Sequence, residues 1–275
     1  MSDHYAVIGN PVEHSLSPQI HARFAALTGE DIEYGKLLCE LDEFTATATQ
    51  FFAAGGRGMN ITVPFKQDAF NFADLLSLRA QAAGAVNTLI LHNNGEREGD
   101  NTDGVGLVRD LAQNQGLKLS EMRILVLGAG GAVRGVLAPL LEQNPVSLTV
   151  ANRTAEKAKL LAQRFSELGA IRGIGLSETS EFAPYDLIIN ATSAGLSKEN
   201  PTLPDSLFAD GANAYDMLYA SEPTPFLRWA NTQGVNQCQD GFGMLVEQAA
   251  ESFFLWRGVR PDTKQVIQDM RPNSD

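Results

Sequence analysis

The sequence predicts an α/β protein of two domains: a discontinuous one built on a mixed sheet, and a second one, inserted into it, built on a parallel sheet. Three observations lead there. Short β-rich runs alternate with longer amphipathic stretches along the whole chain, the pattern of a sheet covered by helices. A continuous apolar run over 123–127 passes directly into Gly128-Ala129-Gly130-Gly131 and then into a helical stretch. The last strongly apolar helix, over 242–256, has no third domain to belong to and is expected to pack back on the first. The expected boundaries are 1–104 with 239–275 for the discontinuous domain and 105–238 for the insertion, a reasonable division of 275 residues.

Each element has a local reason. A strand over 5–8 stops at Gly9-Asn10-Pro11, and a helix over 18–27 opens on Pro18 and closes before Gly29. Strands are expected at 32–38, 59–63 and 85–91, with helices over 42–54 and 65–79. Asn93-Asn94-Gly95 is the turn of a hairpin. A helix over 106–113 ends at Gly116, and the strand over 123–127, the helix over 133–141 and the strand over 147–151 form a βαβ unit. Further strands are expected at 187–191, 214–217 and 234–236.

Composition excludes several function classes. Apolar residues are 44% of the chain and charged residues 20%, enough to bury a sizeable core. Twenty-one basic against 33 acidic residues give a formal charge of −12, the wrong bias for a partner of nucleic acid or an anionic membrane. Cys39 and Cys238 form no metal-binding spacing and suit a reducing compartment. His4, His14, His21 and His92 offer no ligand spacing on one element, so no metal is expected. No apolar run is long enough to span a membrane, and Met1-Ser2-Asp3-His4 does not begin an export signal. The expected location is cytoplasmic.

The glycine run follows a strand and opens a helix, the setting in which backbone amides and the helix dipole hold a pyrophosphate. That makes the inserted domain a Rossmann-type dinucleotide-binding domain, with Gly128, Ala129, Gly130, Gly131 and Ala132 as the cradle and Val133 where a third glycine is usual. The next strand ends in Asn152-Arg153-Thr154, with Lys157 one turn further on. A carboxylate there would bind a free ribose hydroxyl. A guanidinium and a hydroxyl instead suit a 2′-phosphate, so the cofactor expected is NADP.

Four polar segments stand near strand ends in the first domain. Ser15 and Ser17 project together beside a helix start, where they can hold a carboxylate. Asn60 and Thr62 share one face of a strand, and Pro64 brings Lys66 to its C-terminal edge, where ligands bind in open sheets. Asn87 is an amide set in the apolar run 85–91, and Gly99-Asp100-Asn101-Thr102-Asp103-Gly104 carries two acids between glycines.

Together with Ile8-Gly9-Asn10-Pro11, Asn190-Ala191-Thr192-Ser193, Asp216-Met217-Leu218-Tyr219 and Asp240-Gly241-Phe242-Gly243-Met244-Leu245, these segments give the chain a resemblance to shikimate dehydrogenases that runs in order along nearly its whole length. The resemblance implies reversible, NADPH-dependent reduction of 3-dehydroshikimate to shikimate, a step of aromatic amino-acid biosynthesis. It implies Lys66 and Asp103 as the catalytic pair, and Ser15, Ser17, Asn60, Thr62, Asn87, Tyr219 and Gln248 as holders of the substrate carboxylate and hydroxyls. It places Gly128 to Ala132, Asn152, Arg153, Thr154, Lys157, Met217 and Gly241 along the cofactor. It also implies a cleft between a discontinuous substrate domain and the Rossmann-type domain. Leu78 and Val133 depart from the family pattern, at a position often acidic and at one often small.

In such an enzyme Lys66 would stabilise the charge developing on the ketone oxygen and deliver its proton, with Asp103 favouring the ammonium form. Three other readings make different demands. A quinate/shikimate dehydrogenase using NAD would favour an acid where Arg153 stands. A methylenetetrahydrofolate dehydrogenase shares a two-domain plan but not the Ser-Leu-Ser-Pro segment or the Asp103 loop. A non-catalytic NADP-binding paralogue has no need of both Lys66 and Asp103. The oligomeric state is left open by the sequence.

Overall fold

A computed structural model describes residues 2–192, 203–204 and 206–271. The chain divides into two compact units, one of Met1–Gly106 with Leu245–Met270 and one of Leu107–Met244 with the chain from Arg271.

In the first unit, Asp3–Gly9 (β1) pairs in parallel with Ile32–Leu38 (β2) and with Gly56–Ile61 (β3). Ser17–Thr28 (α1) and Phe44–Ala53 (α2) connect these strands. Gly29, at φ 74, closes α1 in the left-handed conformation that glycine adopts without strain. The chain continues through Lys66–Phe72 (α3), Leu75–Leu76 (β4), Leu78–Ala83 (α4), Thr88–Leu91 (β5), Arg97–Asp100 (β6) and Asp103–Arg109 (α5). The strand order is β2-β1-β3-β5-β6-β4, and β5 runs antiparallel to both neighbours, so the sheet is mixed. Ile8, Phe44, Met59, Ile61, Phe65 and Leu89 form the centre of its core.

The helix expected over 65–79 is in fact two short helices with a strand between them. Ala73 is extended at ψ 138, the Asp74 N–H donates to the Arg97 carbonyl, and β4 then adds to the sheet beside β6. Ser77 accepts from the Ala80 N–H and starts α4 afresh. Asp and Ser side chains compete with the helical ladder for backbone and side-chain partners, and here they win. Lys66 is therefore the first residue of a short helix that begins just beyond β3. Two strands also begin or end inside their expected spans: β3 stops at Ile61, and β5 starts at Thr88.

The second unit contains Arg123–Leu127 (β7), Gly131–Leu141 (α6), Ser147–Asn152 (β8), Ala155–Phe165 (α7), Ile171–Gly175 (β9), Tyr185–Asn190 (β10), Phe208–Asp216 (β11), Pro225–Thr232 (α8) and Gln237–Gln239 (β12). All neighbouring strands are parallel, in the order β12-β11-β10-β7-β8-β9. This is the doubly wound dinucleotide-binding order, with its switch point between β7 and β10. Arg123 locks that pair with a two-pronged bond to Asp186, 2.9 Å at each prong, which holds the Asp186 carboxyl below the usual carboxylate range.

Strand β9 has no counterpart among the strands expected from sequence. Its Ile-Arg-Gly-Ile-Gly run lacks apolar alternation because Gly173 lies against α7, where a Cβ would fall 2.2 Å from the Ala158 carbonyl oxygen. Strand β12 begins at Gln237 rather than 234, because Gly234 adopts φ 74 and finishes the turn after α8. Phe242–Arg257 (α9) and Thr263–Met270 (α10) follow. No helix among the described residues is long and apolar enough to cross a membrane.

Candidate active site

Lys66 stands at the start of α3, after β3 has given way to Thr62-Val63-Pro64, where proline cannot extend a ladder. Asp103 opens α5 directly after β6. These two local breaks bring an ammonium and a carboxylate together, with Lys66 Nζ donating to Asp103 Oδ2 at 2.5 Å. The Lys66 side chain is 31% exposed and that of Asp103 13%, so the pair faces solvent on the lysine side only.

The other Asp103 oxygen accepts from Asn87 Nδ2 at 2.8 Å. The orientation of the Asn87 amide is fixed from both ends, since its Oδ1 accepts the Thr102 backbone N–H at 2.9 Å. Gln248 approaches the same Asn87 Nδ2 at 3.4 Å from α9. Asn60 is buried, accepts from the Tyr34 hydroxyl at 2.7 Å and donates to Ser252 Oγ at 2.9 Å. Thr62 follows β3 half-buried. Ser15 and Ser17 place their hydroxyl oxygens 3.2 Å apart, and the N-cap of α1 falls on Leu16, so neither serine is the capping residue.

The two acids of the Gly99–Gly104 segment have different surroundings. Asp103 meets Lys66, whereas Asp100 is buried and takes Ser77 and Arg79, with Arg79 reaching on to Glu251. Asp100 therefore ties α4, β6 and α9 together, and its hydrogen bonds go to Ser77 and Arg79. Sequence reasoning passed over Tyr34, Thr88, Thr102 and Ser252, which close the polar cluster around Asn60 and Asn87. A signal for Ser252 exists: it lies four residues after Gln248, on the same face of an apolar helix.

Burial shapes the electrostatics on the Tyr34 side. It pushes the Tyr34 hydroxyl well above its ordinary range and depresses His21, stacked on Tyr34 with ring centroids 4.2 Å apart, to about 3. His21 is therefore neutral, and neither ring nitrogen makes a hydrogen bond among the described residues.

In the second unit, Gly128 holds φ 113, and a Cβ on it would sit 3.1 Å from the Ala191 carbonyl oxygen, beside the switch point. Gly130 caps α6 without a side chain, and a Cβ there would meet open space. Gly130, Gly131 and Ala132 are exposed, so the first amides of α6 face solvent across an unobstructed cradle, the shape and polarity a pyrophosphate requires. Val133 is fully buried on the core side of the helix and leaves the cradle open. Arg153, Thr154 and Lys157 are exposed beyond β8, and Thr154, at the N-cap of α7, makes no capping bond with its hydroxyl. Arg153 and Lys157 have no ion-pair partner among the described residues. The donor set fits a phosphorylated dinucleotide.

Gly241 packs where a Cβ would lie 2.2 Å from the Met217 carbonyl oxygen, which keeps these two residues together. Tyr219 belongs to this unit, edge-on to Phe242 at 6.1 Å, with partial burial raising its phenol pKa. Ser193, the last residue of the Asn190 segment, lies outside the described residues.

Comparison with known proteins finds three matching segments. Residues 7–89 match the shikimate dehydrogenase substrate binding domain, 110–204 match shikimate / quinate 5-dehydrogenase, and 241–271 match the shikimate 5'-dehydrogenase C-terminal domain. The NADP(+) shikimate dehydrogenase of Dechloromonas aromatica is 54% identical over 98% of both chains, and that of Alkalilimnicola ehrlichii 52% over 99% of this chain and all of the relative. The chain belongs to the shikimate dehydrogenase family. Among solved structures, an Ael1 enzyme from Pseudomonas putida is 46% identical, with a TM-score of 0.94 over all of both chains. The Thermus thermophilus shikimate 5-dehydrogenase, solved in complex with NADP(H) and shikimate, is 35% identical over 97% of both chains, with a TM-score of 0.85. Leu78 presents an apolar side chain that is 83% exposed.

Proposed function

We infer that the chain is an NADP-dependent shikimate dehydrogenase, reducing 3-dehydroshikimate to shikimate and running the reverse oxidation, in the biosynthesis of aromatic amino acids. The observation that carries the mechanism is the 2.5 Å contact between Lys66 and Asp103, inside the unit that matches a shikimate-dehydrogenase substrate domain. In this reading the discontinuous unit binds substrate and the inserted one binds NADP. Two free thiols and the biosynthetic role support a cytoplasmic location.

NADPH, when bound, supplies the hydride that reaches the ketone carbon. The chain's own task is to manage one developing charge and one proton. As the ketone oxygen becomes alkoxide-like, the Lys66 ammonium stabilises it and then donates its proton. Asp103 holds the ammonium in place and is itself held by Asn87, so the donor is oriented before the reaction begins. In the oxidative direction Lys66 takes the proton back. Ser15, Ser17, Asn60, Thr62, Asn87, Tyr219 and Gln248 act as hydrogen-bonding partners of substrate carboxylate and hydroxyls, and analogues lacking a hydroxyl are rejected because a site group is then left unpaired. In the inserted unit, the cradle Gly128 to Ala132 holds the pyrophosphate, Asn152, Arg153, Thr154 and Lys157 the ribose phosphate end, and Met217 with Gly241 the remaining wall.

Replacing Lys66 tests the reading. Lys66→Ala should lower turnover by at least about 10²-fold, the scale of general acid–base catalysis, with shikimate affinity by calorimetry unchanged; near-native turnover would remove Lys66 from the chemistry. Catalytic efficiencies on shikimate and quinate with each nicotinamide cofactor should be highest for shikimate with NADP.

A further inference from the structure

One continuous line of hydrogen bonds through the side chains between Tyr34 and Asp103 runs in a single direction. Two fixed amides set the direction. Asn60 must turn its Oδ1 toward Tyr34, because its Nδ2 faces a backbone carbonyl, that of Asn87, at 3.4 Å. Asn87 must turn its Nδ2 toward Asp103, because its Oδ1 faces the Thr102 N–H. An amide donor therefore enters the gap between the two asparagines from one side, and an amide acceptor faces it from the other.

Thr88 spans that gap. Its hydroxyl oxygen lies 3.3 Å from Asn60 Nδ2, which can only donate, and 2.9 Å from Asn87 Oδ1, which can only accept. The donors then run from Tyr34 to Asn60 to Thr88 to Asn87 to Asp103, and Lys66 closes the far side of the carboxylate. Ser252 braces the middle: it accepts from Asn60 at 2.9 Å and, because the Thr88 hydrogen is taken by Asn87, donates its own to the Thr88 oxygen at 2.8 Å, with the Gln248 carbonyl 3.1 Å away. Thr88, Thr102 and Ser252 are fully buried and Asn87 nearly so, which leaves water no part in satisfying these groups.

We propose that Tyr34, Thr88 and Ser252 are positioning residues for the reaction: a one-way chain of hydrogen bonds that starts at Tyr34 and orients the Asp103 carboxylate, and through it the Lys66 ammonium. This deepens, and rests on, the acid–base reading of Lys66 and Asp103. The two amides break any proton relay, so the chain transmits orientation and polarisation only. Breaking it at Thr88 leaves Asn87 Oδ1 to the Thr102 donors alone and so loosens the amide that holds Asp103 Oδ1.

The test uses near-isosteric pairs. Thr88→Val deletes the hydroxyl and keeps the shape; it should lower kcat about tenfold while KM for shikimate and calorimetric shikimate affinity move less than threefold. Thr88→Ser restores the hydroxyl and should return kcat to within about twofold of the wild type. Tyr34→Phe, cut at the far end where packing is least disturbed, should lower kcat two- to fivefold and covers the case of a poorly folding Thr88→Val. The Asn87 side-chain amide protons, followed by NMR in ¹⁵N-labelled protein, should move in both Tyr34→Phe and Thr88→Val, a readout independent of turnover. Unchanged kcat and amide shifts in folded Tyr34→Phe and Thr88→Val overturn the proposal, as does an equal loss in Thr88→Ser, which would make packing the cause. A wild-type chain inactive on shikimate, yet with Asn87 amides that move in both variants, would overturn the functional reading and leave the chain of bonds standing.

Discussion

The two units present their candidate site residues in opposite ways. In the first, the candidate side chains are solvated by one another: Asn60 and Asn87 are 6% and 2% exposed, and every buried amide in the cluster has a protein partner. In the second, the sheet buries polar groups of its own, Thr149, Asn190, Asn213 and Asp216 among them, but Arg153, Thr154 and Lys157 stand exposed beyond it. The difference teaches where specificity is stored. Groups oriented by protein partners are arranged before any ligand arrives, so substrate recognition and proton transfer are part of the fold. Groups solvated by water are arranged only when the phosphate arrives, so cofactor choice is a surface property. Changes in the first unit should therefore strike stability and chemistry together, whereas changes at the surface of the second should strike affinity alone.

The largest test of that contrast is Asn60→Leu. The leucine matches the amide in size but leaves Tyr34, Thr88 and Ser252 short of a partner in a place water does not reach. Each buried group so stranded costs about 1–3 kcal/mol, and a net loss of roughly 2–4 kcal/mol in urea unfolding is expected, together with a fall in kcat/KM for shikimate of at least tenfold. A variant as stable as the wild type would show that the cluster is not held by the fold, and the contrast between the units would collapse.

His21 sharpens the same point through pH. It is fully buried among Tyr34, Phe24, Phe253 and Trp256, and burial lowers its pKa from 6.5 to about 3. Below pH 6.5 the unfolded chain takes up a proton that the folded chain refuses, so the unfolded state gains as pH falls. The stability tied to neutral His21 is whole above pH 6.5 and drains away as pH drops toward 3. Linkage puts the loss at about 2 kcal/mol by pH 5. Denaturant unfolding at pH 7, 6 and 5 should show this slope in the wild type and a flatter one in His21→Phe. A wild type equally stable at the three pH values would mean that the imidazole is not kept neutral.

Much of this was legible in the sequence, for reasons that differ by residue. The run Arg123–Leu127 into glycines announces a parallel sheet and its cradle because all of the signal is local, and Asn93-Asn94-Gly95 announces a hairpin in the same way. Lys66 stands out as a charge at a strand end, whereas Asp103 is singled out only by the resemblance to shikimate dehydrogenases. What stayed hidden is what depends on contacts between distant segments. Asp100 and Asp103 look alike in the sequence, and only the arrival of Arg79 at one and Lys66 at the other separates them. Thr88 at the head of an apolar strand and Ser252 in an apolar helix read as ordinary members of those elements; their partners lie 28 and 192 positions from them along the chain. The break at Asp74 and the glycines of β9 were masked because tertiary contacts overrode a helical pattern in one and removed a strand pattern in the other.

The smallest expected effect on the fold belongs to Arg153, and it completes the contrast. Its guanidinium is exposed beyond β8, so Arg153→Ala should leave unfolding within about ±0.5 kcal/mol of the wild type, as surface substitutions do. The affinity should behave differently. A guanidinium pairs with a phosphate dianion and has little to offer a ribose hydroxyl, so NADP binding should weaken about tenfold, some 1.4 kcal/mol, while NAD binding stays where it was. Cofactor titration by calorimetry or nicotinamide fluorescence measures both arms, and Lys157→Ala, one helical turn away, should repeat the pattern at a smaller size. Equal weakening of the two cofactors would place Arg153 on the shared pyrophosphate instead of the 2′-phosphate. A fall in stability of 2 kcal/mol or more would make it a structural residue, and the division between a site built into the core and a site laid on a surface would no longer separate the units.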